Sequence, residues 1–117
     1  MSVRENELLR RFAADVRRHY GDRLLGMYVF DYLFGEGDDD EISVDADVAV
    51  VLADGEWGFL DEKKELVQFS YEILLESEFY IRAWPLPASA WRDPSTYPNP
   101  GLVSEIKRRS EPIMEAA

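Results

Sequence analysis

The chain has no cysteine. That absence excludes disulfides, thiolate nucleophiles and thiolate metal sites together. Histidine occurs once, at His19, at the end of a charged N-terminal stretch where a lone His more often caps a helix or meets water than does chemistry. Basic residues are scarce: 13 Lys and Arg stand against 24 Asp and Glu, a formal net charge of −11 at pH 7. A duplex phosphate backbone would be repelled over most of such a surface, so general nucleic-acid binding is not expected. A small nucleotide is a separate case, because a divalent metal carries the phosphates and itself needs carboxylates to hold it. No apolar run is long enough to cross a bilayer, and "SVRENELLRRFAADVRRHY" is charged throughout, without the apolar core of a signal peptide. No membrane contact is expected, and the cytoplasm is the default location.

What the chain does contain suffices for a core. With 117 residues, 46% hydrophobic and 13% aromatic, it is expected to form a single domain over residues 1–117. Ser2 and Glu5 have the spacing of a capping box, and Leu9, Phe12, Ala13, Val16 and Tyr20 recur at helical spacing, so a helix is expected over about residues 3–19, ending before Gly21. "LLGMYVF" (24–30) has the short apolar and aromatic character of a buried strand. "GEGDDDE" is turn chemistry, and its acids have the ordinary use of a solvated loop.

The next strand, expected over 44–52, alternates. Val44, Ala46, Val48, Val50 and Leu52 fall on one face, and Asp45, Asp47, Ala49 and Val51 on the other. A second helix follows, with Leu60, Val67, Tyr71 and Leu74 as its stripe, widened by Leu66, Phe69 and Ile73. "FYIRAWPL" has strand character, but Pro85 and Pro87 bar it from being an internal strand beyond Trp84. A Pro-rich packed loop then leads to a last helix near 102–109. The order helix, strand, strand, helix, strand, helix predicts an α/β or α+β domain with a small mixed sheet. Periodicity leaves open whether the first two strands are antiparallel or parallel.

Two carboxylates one residue apart on a strand are spaced to share hard divalent cations, which in phosphoryl or nucleotidyl transfer bridge phosphate oxygens and activate the attacking hydroxyl. D-x-D alone is a weak signal. Its setting adds to it: "LLGMYVF", a Gly-containing loop, "DADVAVVL", a helix and a strand together resemble the small nucleotidyltransferase domains of the DNA polymerase β-like superfamily, the minimal kind often paired with a helical toxin. Trp91, the Asn99–Pro100 step and "LVSEIKRRSEPI" extend the likeness over nearly the whole chain.

The resemblance implies a small mixed sheet flanked by helices and a Mg²⁺-dependent transfer of a nucleoside monophosphate from a nucleoside triphosphate to a hydroxyl acceptor. Asp45 and Asp47 would be the catalytic, metal-holding pair, Glu78 the nearest third metal ligand, and Tyr32, Gly35 and Gly37 the nucleotide loop. Asp31–Tyr32 stand where the family has Gly-Ser, and Phe34 where it has a basic residue, which implies reduced or lost transfer. The alternative is a non-catalytic, antitoxin-type module whose acidic surface, Glu36 to Glu41 above all, meets a basic protein partner such as a helical toxin-like chain. Arg23, Lys63, Lys64 and Arg82 are the basic residues open to a phosphate-holding role, each with the ordinary use of a solvated side chain, and Arg82 stands out of the four because it is in the middle of an aromatic run.

Overall fold

The structure is a computed structural model that describes residues 2–30 and 44–115. Its first helix, α1 (Val3–Tyr20), begins with a reciprocal cap: the Ser2 hydroxyl accepts from the Glu5 N–H at 3.1 Å, and the Glu5 carboxylate accepts from the Ser2 N–H at 2.9 Å. Two of the donors that a helix start leaves orphaned are thereby satisfied. The helix stops at Gly21, whose φ of 57° is a conformation glycine adopts without a Cβ penalty.

After a single 3₁₀ turn come β1 (Leu24–Phe30) and β2 (Ala46–Leu52), then α2 (Phe59–Ser77) and β3 (Ile81–Pro87). A short helix α3 (Ala88–Arg92), α4 (Pro100–Arg109) and β4 (Glu111–Glu115) complete the chain. The sheet order is β3-β2-β1-β4. β1 is antiparallel to both β2 and β4, while β2 and β3 are parallel, joined by the α2 crossover that parallel pairing requires. The molecule is an α+β domain with a mixed sheet.

Helices cover both faces of that sheet. On one, Phe12 and Val16 of α1 and Leu66 and Ile73 of α2 pack on Met27, Val48, Val50 and Ile81. On the other, Val103 and Ile106 of α4 pack with Phe30, Ala49 and Leu86, bordered by Tyr28, Trp84 and Trp91. β2 is therefore buried at every residue. Its alternation is the expected one, with Ala46, Val48, Val50 and Leu52 toward α1 and α2 and Ala49 toward α4.

β3 runs through both of its prolines because it lies at the sheet's edge. The Ala83 carbonyl accepts from Lys63 Nζ rather than from a strand, so residues 83, 85 and 87 turn their backbone polar groups outward. Among the described strands, the N–H that each of these prolines lacks is missing only from this outer edge.

Four expectations change. The core stripe of α2 is Leu66, Ser70 and Ile73, while Leu60, Val67 and Tyr71, expected to face inward, are 70%, 49% and 54% exposed. The helix carries apolar residues on more than one face, and periodicity does not say which of them meets the sheet. The Pro-rich loop contains α3 and a 3₁₀ turn at Pro94–Thr96, where the Asp93 side chain accepts from the Ser95 N–H. The chain after α4 is not the end of a helix but β4, an edge strand pairing with β1. And β2 begins at Ala46, two residues later than its alternation suggests.

Candidate functional site

Strand pairing brings the carboxylates together with β3. The parallel register sets Asp47 opposite Arg82. Asp47 Oδ1 accepts from Arg82 Nε at 2.7 Å and from Trp84 Nε1 at 2.9 Å. The pair is largely withdrawn from water, with side chains 17% and 5% exposed for Arg82 and Asp47. A buried ionised carboxylate requires such compensation, since desolvating it alone costs several kcal/mol. No buried side-chain polar atom among the described residues lacks a partner.

Asp45 lies just before β2 and is exposed, and it serves a different purpose. Its Oδ2 accepts from the Tyr80 N–H at 2.8 Å, while the Tyr80 carbonyl accepts from the N–H groups of Asp45 and Ala46 at 3.0 and 3.1 Å. These bonds clamp the starts of β2 and β3 side by side. The expectation that both Asp project over one face thus meets two different environments, one a buried ion pair and one a backbone clamp.

Around Asp47 the second layer is cationic and aromatic. Lys63, reaching from α2 to the Ala83 carbonyl, holds its ammonium 5.5 Å from the centre of the Trp84 ring, and the Arg82 guanidinium lies 5.4 Å from the same centre. Burial holds the Lys63 pKa below its usual range, and repulsion from Arg82 adds to this, while Asp47 offsets part of it. Phe30 tilts against Trp84 at 6.2 Å between ring centres. The sequence signal for this cluster was Arg82 inside an aromatic run; Lys63 was one of the four basic residues open to a phosphate-holding role, with nothing in its own surroundings to set it apart.

Glu78, the expected third metal ligand, caps α2 in the left-handed conformation, with φ 54° and ψ 27°, and is exposed. Among the described residues no three His, Asp or Glu side chains converge as a metal would require. Tyr32, Gly35, Gly37 and the Glu36–Glu41 acids lie outside the described residues. Trp91 is a packing residue, stacked on Tyr28 with ring centres 4.5 Å apart. His19 sits with its Nε2 3.7 Å from Glu65, its ring edge-on to Tyr20.

No protein-family model matches the chain, and no curated protein matches it either. No helix of the described residues is long and apolar enough to cross a membrane.

Proposed function

We propose that this chain is a binding module of nucleotidyltransferase-like design that docks a basic, amphipathic helix of a protein partner. The observation that carries the reading is the second apolar line on α2. Leu60, Val67, Tyr71 and Leu75 follow one another at helical spacing and are 70%, 49%, 54% and 66% exposed. They span roughly 22 Å of helix at 1.5 Å per residue. Asp61, Glu65, Glu72 and Glu76 occupy the adjoining side of the same helix, Glu65 beside His19 and Glu76 paired with Arg11 of α1; Lys64 is the one cation on the line, and the chain as a whole carries −11. A second copy would bring like charge against like, whereas a helix with Lys or Arg beside its apolar stripe matches both features.

The condition of Asp47 supports binding over transfer. A divalent cation at Asp47 Oδ1 would have to displace or stand beside the guanidinium of Arg82, already 2.7 Å away, and two positive charges there repel. As held, the residues do not fit an all-oxygen Mg²⁺ site. The transferase reading, Mg²⁺ on Asp45 and Asp47 with a nucleoside triphosphate as donor, is favoured by one observation: both carboxylates stand at the same end of β2, beside β3. That reading needs Arg82 to leave.

The test uses a fluorescent helical peptide with a Leu stripe flanked by Lys, and its twin flanked by Glu. Anisotropy should report binding of the Lys peptide only, lost on Val67→Glu with Tyr71→Glu. Equal binding of both peptides, or indifference to the substitutions, would sink the proposal.

A further inference from the structure

Where β2 and β3 end, the chain builds a cleft that lies at the far end of β2 from the aspartate pair. Its volume is about 450 Å³, within the range of small-molecule sites. The walls are Trp57, Phe59 and Tyr97 with Pro85 and Pro87, and Asp54 is the acidic group in the lining. In open α/β sheets, ligands gather beyond the carboxyl ends of strands, because loops there can vary while the sheet stays rigid.

The lining is held in place. Trp57 Nε1 donates to the Ala53 carbonyl at 2.9 Å, and the Ala53 N–H donates to the Arg23 carbonyl at 2.8 Å, so the indole is tied through the loop to the 3₁₀ turn before β1. Asp54 Oδ1 accepts from the Ser89 N–H at 3.0 Å, which orients the carboxylate and keeps its pKa below the usual range. The cation nearest it is Arg92, 3.9 Å from Oδ2 on a side chain that is 70% exposed. A smaller cleft shares Asp54 and Trp57 with this one and is lined also by Arg23, Glu56 and Glu62.

A lining that holds three aromatic side chains and one oriented carboxylate suits one kind of ligand. Ring faces carry negative quadrupole potential that attracts a cation, and a large, weakly hydrated cation gives up little solvation to reach them. An anion would meet Asp54, and a neutral apolar molecule would gain no attraction from it. We propose that this cleft binds an organic cation of the quaternary ammonium class, its alkylated nitrogen among Trp57, Phe59 and Tyr97 with Asp54 as counter-ion. The proposal is independent of the helix docking surface and of the aspartate pair.

Choline and a trimethyl-lysine peptide, titrated separately into the ¹⁵N-labelled chain, distinguish a free ligand from a modified side chain. 3,3-Dimethylbutan-1-ol, the neutral isostere of choline, is the control. At least one cation should shift the Trp57 indole resonance at millimolar concentration and bind about tenfold tighter than the alcohol. Asp54→Asn keeps an acceptor for Ser89 and should weaken the cation severalfold without changing the alcohol. Trp57→Leu should abolish binding, with the urea midpoint of each variant confirming that it is folded. Equal binding of alcohol and cations, no binding of either cation, or indifference to Asp54→Asn would overturn the assignment.

Discussion

Of the acidic residues at the two ends of β2, Asp47 alone is buried; Asp45 and Asp54 are exposed, and each accepts a backbone N–H. At the start of β2, Asp47 is buried against Arg82 and Trp84, and Asp45 accepts from the backbone of Tyr80. Past its end, Asp54 is exposed at a cleft walled by aromatic rings. The stronger sequence motif is the D-x-D pair, yet the chain's own donors have claimed it. What an acid can do depends on which neighbours the register gives it: pairing with β3 places an arginine opposite Asp47 and prolines beside the Asp54 cleft.

The largest effect should come from the start of the strand. Arg82→Met leaves Asp47 buried without its counter-charge and should cost about 3–5 kcal/mol of folding stability in urea denaturation. Adding Asp47→Ala to it should restore most of that loss, because the pair is removed together. A cost under about 1 kcal/mol for Arg82→Met would mean that this end is as open as the other, and the contrast would fail. Asp45→Ala removes one acceptor from the Tyr80 N–H and should cost about 1 kcal/mol, measured in the same way.

The smallest effect is a pH dependence. The Lys63 pKa is lowered in the folded state, so the unfolded chain binds more protons than the folded one between that lowered value and 10.5. Wild-type stability should therefore gain from Lys63 as pH rises through that window, and the gain should be absent in Lys63→Met. Urea midpoints of the two proteins across the alkaline range measure it. An identical pH slope in both would show that Lys63 is not desolvated beside Trp84.

Much of the fold was legible because its signals are local. The Ser2–Glu5 box, the apolar run of β1 and the alternation of β2 each report their own backbone, and the α+β class follows from their order. β4 was not legible: "EPIME" has acids at both ends and Pro112 within, and it becomes a strand only because β1 offers an edge. The inward face of α2 was legible in part: Leu66 and Ile73 are buried as expected, but Leu60, Val67 and Tyr71 are not, since a helix with apolar residues on two sides needs the sheet to choose between them. At the candidate sites, Arg82 and Asp47 each carried a signal, whereas their pairing was visible only once the register was known. The Trp57 cleft gathers residues 54–59, 85–89 and 97, segments that no spacing rule connects.

The most direct test of the central claim, that Asp47 is held by Arg82 and not by metal, is calorimetric titration of Mg²⁺ with ATP, and separately with GTP, into the wild type and into Asp45→Ala with Asp47→Ala. The account predicts no metal-dependent heat of nucleotide binding in either protein at millimolar nucleotide. Metal-dependent binding by the wild type, abolished by the double substitution, would contradict it and restore the transferase reading.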